Sequence, residues 1–292
     1  LSGLQAAGSF PVEFLEELLG SSLSVPPLGE LLGGAKAFSP EEAARVERFL
    51  GAVRPWAIPT LLELLATLED RAARRIVLKV LEAQGGVPGR YLVSHLGDPR
   101  WFVVRNAVRL AAISRDPTLV PNLGRLLRHP DARVRREAVR TLEAYGGRAA
   151  ATALSDALAD TDSSVRTLAA SALGHLGGPR EAELVLKQVE QRDFADRPVG
   201  EVEAFLNALA RLDPDRAVPV LDRLWRRRRL RSRPLGVRVA ALGALALADD
   251  PRVEQILREA VRSSEDLIRP AANRALATRV AAVRVAAGRE ND

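Results

Sequence analysis

The tail "LEAQGG" at Leu81–Gly86 recurs as "LEAYGG" at Leu142–Gly147 and, more loosely, as "LGHLGG" at Leu173–Gly178. Repetition at a fixed period outranks other signals, because each repeated unit must be a supersecondary element that cannot bury its own apolar face. Aligned on these tails, seven units open at Ala73, Val103, Val134, Val165, Glu201, Val237 and Ile268, with spacings of 30, 31, 31, 36, 36 and 31 residues.

Within the units the apolar pattern is helical. Val134 is followed by Ala138, Val139 and Leu142, Val165 by Ala169, Ala170 and Leu173, and Val237 by Ala241, Leu242 and Leu245. Steps of four, one and three residues draw a single buried stripe along an α-helix. A shorter apolar segment precedes each stripe: "LVPNLGRLLRH", "AAATALSDALAD" and "AVPVLDRLWRR" before Val134, Val165 and Val237. Pro, Gly and Asp punctuate the joints, as in "GDPR", "RHPDA", "ADTDSS", "RLDPD" and "ADDPR". The pattern predicts about seven helical hairpins stacked side by side, an all-α right-handed solenoid. Aromatics are only 4% of the chain while 47% is hydrophobic, so Ala, Leu and Val dominate, which suits close helix-on-helix packing.

These features resemble the HEAT-repeat family, whose units carry an Asp in the turn of the hairpin and a Val-Arg pair opening the second helix. "DTDSSVR" has Asp160, Val165 and Arg166 at that spacing, and "DPRWFVV" has Asp98 and Val103. "HPDARVR" keeps Val134 and Arg135 but puts His129 where the Asp belongs; the units at Val237 and Ile268 keep Arg238 and Arg269 without it. The Glu201 unit, "GEVEAFLNALARL", keeps only the stripe. The resemblance covers roughly residues 54 to 280 and implies a scaffold that holds another protein on its concave face, with the opening arginine bonded to the turn Asp to stack the repeats.

Residues 1–39 differ: "FPVEFLEELLG" fits a short amphipathic helix within a Gly-, Ser- and Pro-rich surround, so we expect a linker that caps the array, and residues 40–292 as the solenoid. "FSPEEAARVERFL" predicts a firm helix start with Ser39 as N-cap, Pro40 in the first turn and Glu42 closing a capping box. A chain that opens on Leu1 and contains no methionine is expected to be an excised piece.

No cysteine is present, which excludes disulfides, thiolate metal sites and cysteine nucleophiles. The histidines, His95, His129 and His175, fall in separate hairpins, and no nucleophile elbow, P-loop or dinucleotide fingerprint occurs. "GGVPG" at Gly85–Gly89 is accounted for by a helix C-cap and turn, and Glu16-Glu17, Glu41-Glu42 and Asp249-Asp250 by the dipole at helix N-termini. We therefore expect no catalytic residues, no metal and no cofactor. No apolar run reaches membrane-spanning length, and a cytoplasmic protein is expected.

Net charge is +6 and the sequence pI about 10.5, but only Lys36, Lys79 and Lys187 are lysine. Such arginine usage accompanies a GC-rich genome, so charge becomes informative only by position. In "LWRRRRLRSRP" the run Arg226, Arg227, Arg228 and Arg229 spreads over about 300° of helical azimuth and cannot share one face; a helix C-terminus running into a basic loop accounts for it, with phosphate or acidic-protein contact as the functional alternative.

Columns across the repeats are more selective. The position two beyond each opening residue reads Arg75, Arg105, Arg136, Thr167, Glu203, Val239 and Pro270. Four further on it reads Lys79, Arg109, Arg140, Ser171, Asn207, Gly243 and Arg274. Both columns lie opposite the apolar stripe and share a helix face. Arg75, Lys79, Arg105, Arg109, Arg136 and Arg140 thus form a candidate ridge in three successive units, interrupted nearby only by Glu82 and Glu143. An acidic segment of a protein partner is the expected occupant. Nucleic acid is the alternative, as in HEAT-like DNA glycosylases, although the ridge lacks aromatics to stack a base. HEAT-like arrays also occur in bilin lyases, a role no distinctive residue here supports.

Overall fold

A computed structural model describes residues 25–32, 38–83, 85–226 and 234–289, and every element among them is helical. The chain divides into two compact units, residues 1–122 and 123–292. Among the described residues no helix is long and apolar enough to cross a membrane.

In the first unit α1 (Val25–Leu32) packs on α2 (Pro40–Thr67), burying Leu28 and Leu32. Ser39 and Glu42 form the expected capping box: Ser39 Oγ accepts from the Glu42 amide at 3.2 Å, and Glu42 Oε2 accepts from the Ser39 amide at 2.8 Å. Helices α2 and α3 (Arg71–Glu82) make one hairpin, and α4 (Gly89–Leu96) and α5 (Trp101–Ser114) the next, with α3 against α5. Trp101 opens α5.

A 3-10 turn, Pro117–Leu119, leads into α6 (Val120–Leu126). The second unit then runs α7 (Ala132–Tyr145), α8 (Gly147–Leu154), α9 (Ser163–Leu176), α10 (Pro179–Val189), α11 (Val199–Leu212), α12 (Pro214–Trp225), α13 (Leu235–Leu245), α14 (Arg252–Val261) and α15 (Ile268–Arg289). Its second helices stack in series, α7 on α9, α9 on α11, α11 on α13 and α13 on α15. The architecture is an all-α helical-repeat solenoid. Val134, Ala138, Val139 and Leu142 are wholly buried, as are Val165, Ala169, Ala170 and Leu173, so the stripe is the inter-repeat core. Small residues let these helices close up: a Cβ on Gly174 of α9 would stand 3.0 Å from the Ala208 Cα of α11. The first helices are less regular than the sequence suggests, since Ser155–Ala159 tightens into a 3-10 turn after α8.

The hairpin turns are built on one recurring bond. Asp160 accepts from the Asp162 amide at 2.8 Å, and Asp98 from the Arg100 amide at 2.8 Å. Where the expected Asp is missing, another acceptor does the same job: His129 Nδ1 takes the Asp131 amide at 3.0 Å and Ser263 Oγ the Glu265 amide at 3.2 Å. Arg133 belongs to the first turn of α7. Its guanidinium forks onto the N-cap Asp131 at 2.6 and 3.0 Å, a D-x-R arrangement repeated by Asp98–Arg100 and Asp250–Arg252.

The opening arginine does more than bond its own turn. Arg135 donates to the carbonyls of His129 and Pro130 at 2.8 and 3.1 Å, and reaches the next repeat to fork onto Asp160 at 2.7 and 2.8 Å. Arg166 repeats the geometry with the carbonyls of Asp160 and Thr161, but its fork closes on Glu201 at 2.6 and 2.7 Å. Arg238, 4% exposed, binds the Trp225 carbonyl and forks onto Glu265 at 2.6 and 2.8 Å. The divergent Glu201 unit is thus compensated: its opening residue, 1% exposed, supplies the carboxylate that its turn lacks. The lengthened connection before α11 holds a 3-10 turn, Phe194–Asp196, that buries Phe194 edge-on to Phe205 with centroids 6.0 Å apart. Arg197 lies over both rings and donates to Glu201 at 3.2 Å.

Replacing Glu201 by Gln leaves the Arg166 and Arg197 charges facing a neutral amide inside the stack. We expect a loss of roughly 3 kcal/mol, measured by urea unfolding at neutral pH; a loss within error of zero would show that the pair contributes nothing net. The Arg133 fork holds the Asp131 carboxyl down at about 2, against an ordinary 3.8. A depressed folded-state pKa stabilises above the unfolded value and loses that stabilisation as pH falls through the folded one. Asp131→Asn keeps a capping side chain without a titrating one, so the parent should exceed the variant in stability above pH 4 and the gap should close by about pH 2. Thermal unfolding across that window checks it.

Candidate functional site

In the first unit the expected cations Arg75 and Lys79 on α3, and Arg105 and Arg109 on α5, are all exposed and sit on packed neighbouring helices. They are not equally available. Lys79 pairs with Glu47 of α2 and Arg109 with Glu82 of α3. Arg75 and Arg105 have no ion pair among the described residues.

In the second unit Arg136 faces Asp162 at 3.6 Å and Arg140 faces Glu137 on its own helix at 3.5 Å. The expectation that only Glu82 and Glu143 interrupt the cations is therefore corrected. Glu47, Glu137 and Asp162 also neutralise them, because the carboxylates come from the preceding helix, the same helix one turn back, or the next turn. Reading the two cationic columns in isolation leaves these partners out. The exposed pairs are weak individually, at about 1 kcal/mol or less each, so a stronger anion can displace them.

Of the secondary basic patch, Arg227, Arg228 and Arg229 lie outside the described residues. Arg226 follows α12 directly and is held: it forks onto Glu259 of α14 and onto Asp222, which together raise its pKa. It is a tie between hairpins, while Trp225 at the helix end is buried and donates its indole N–H to Asp222 at 2.9 Å.

The histidines are dispersed, as their hairpins require. His95 bonds the Tyr91 carbonyl one turn back and His129 sits in its turn. His175 joins a chain across three second helices, between Glu143 of α7 and Arg211 of α11. Arginine can only donate, so His175 Nε2 must be the acceptor and Nδ1 carries the proton toward Glu143. The geometry uses the imidazole as a bridge and leaves it no free nitrogen for proton transfer. Among the described residues no three His, Asp or Glu side chains converge as metal ligands.

No curated protein sequence matches the chain with significance. The family description for HEAT repeats matches residues 90–174 and 120–197. Among solved structures, YibA of E. coli superposes with a TM-score of 0.53 at 14% identity, over 86% of this chain and 91% of that one. The CpcE–CpcF complex of phycocyanin lyase from Nostoc gives a TM-score of 0.46 at 22% identity, over 65% and 77% of the two chains. Human deoxyhypusine hydroxylase gives 0.35 at 17% identity, over 89% and 98%. The repeat match, the arginine-linked turns and the stacked second helices agree: residues 90–197 carry HEAT repeats.

Proposed function

We propose that this protein is a non-enzymatic cytoplasmic scaffold whose second helices hold an acidic segment of a protein partner. The observation that carries this reading is the pair Arg75 and Arg105, exposed on adjacent helices with no ion pair among the described residues. Around them Lys79 and Arg109 keep exposed partners that an incoming carboxylate can replace. In the second unit Arg136 and Arg140 occupy the corresponding sequence positions and are proposed as contacts of that unit. Arg135, Arg166 and Arg238, by contrast, are consumed in stacking the repeats. The arrangement offers many weak charge contacts and no nucleophile activated by a neighbouring base, which suits recognition rather than bond-breaking.

Fluorescence anisotropy with a labelled acidic peptide tests the site. Arg75→Glu combined with Arg105→Glu should weaken binding at least about tenfold, while circular dichroism keeps its helical signal. Unchanged affinity would overturn the assignment. Tighter binding of duplex DNA, falling steeply with salt, would instead favour a phosphate-backbone ligand on the same residues.

A further inference from the structure

One basic group in the first unit is not explained by repeat stacking. Arg54, within α2, is only 6% exposed, yet it has no carboxylate partner among the described residues. Its Nη2 donates to the carbonyls of Leu81 and Gly86, and its Nε has no hydrogen-bond partner among them. Burial pushes its pKa down. The comparably buried Arg238 is neutralised by a fork onto Glu265. A buried guanidinium without a counter-charge is costly unless something else supplies it.

Arg54 lines a cleft of about 640 Å³, within the size range of small-molecule sites. The cleft is walled by the "GGVPG" turn, the start of α4 and the end of α5. Gly85 and Gly86 both take positive φ, 85° and 80°, and a Cβ on Gly86 would press on Ile113 and Ser114 at 3.0 Å. Arg90 reaches in from α4, its guanidinium 4.6 Å above the Tyr91 ring. Arg115 closes α5 in the left-handed region at φ 48°, a position that usually takes glycine and costs an L-residue about 1 kcal/mol. Its side chain lines the cleft and is exposed. The one carboxylate on the wall, Asp116, is occupied by the Gly89 amide at 3.1 Å and by the amide and hydroxyl of Thr118. Three guanidiniums against one carboxylate leave two positive charges.

We propose that this cleft binds a phosphate dianion, free or as the monoester of a small molecule. A dianion balances the two charges, arginine forks match phosphate oxygens, and the remaining volume and the Tyr91 ring accommodate an esterified group. The site is separate from the cations of α3 and α5 and does not depend on their role.

Isothermal titration with inorganic phosphate and with phenyl phosphate, against chloride at matched ionic strength, tests it. Arg90 and Arg115 are exposed, so Arg90→Ala with Arg115→Ala should preserve the helical signal and weaken binding of both ligands at least about tenfold. Arg54→Gln should abolish binding; if that variant fails to fold, the double variant decides. Equal affinities for the two ligands assign the site to free phosphate, and tighter binding of phenyl phosphate assigns it to a monoester. Absence of saturable binding, or equal binding by the double variant, would overturn the proposal.

Discussion

The second unit depends on a planar cation that answers to two repeats at once. Arg135, Arg166 and Arg238 each present one edge to backbone carbonyls and the other to a carboxylate of the following repeat. Orphan carbonyls at a helix end and a desolvated carboxylate would each be costly alone. One guanidinium satisfies both, and its rigid geometry sets the spacing between hairpins as well as stabilising it. Lysine, with a single rotating ammonium, could not hold two directions together.

That requirement tolerates change at the acceptor better than at the donor. Asp160, Glu201 and Glu265 occupy different sequence positions relative to their helices, yet each delivers two oxygens to the same place. The turn acceptor is equally exchangeable among Asp, His and Ser, because the task is only to accept one amide. A repeat that departs from its family pattern in sequence can therefore remain regular in its linkage. The lengthened connection before α11 illustrates the limit: extra residues are absorbed when they carry their own apolar anchor, Phe194, and their own charge partner, Arg197.

The same economy separates structural from available charge. In the second unit Arg135, Arg166 and Arg238 are committed to repeat stacking, and exposed arginines such as Arg128, Arg133 and Arg252 face nearby carboxylates. In the first unit, arginines without an ion pair among the described residues lie in different settings: Arg75 and Arg105 on the second helices, and Arg54 beneath a glycine turn with Arg90 and Arg115 beside it. The first setting fits an extended acidic ligand with many weak contacts, the second a compact anion held from several directions.

Helix periodicity, the apolar stripe and the capping box at Ser39 were determined by sequence alone, since each is written in residues at most eight apart, and the repeat was legible because that local pattern recurs along the chain. The resemblance to HEAT repeats followed from the same local pattern. Charge state was not readable in this way. Whether Lys79 is free depends on Glu47, thirty-two residues earlier, and whether Arg166 is neutralised depends on Glu201, thirty-five residues later. Nothing in "GAVRPWAI" marks Arg54 as buried beneath the turn at Gly86. Stacking brings such residues together, and Coulomb interactions act through space rather than along the chain, so only the tertiary structure decided which cations are spent and which remain to bind.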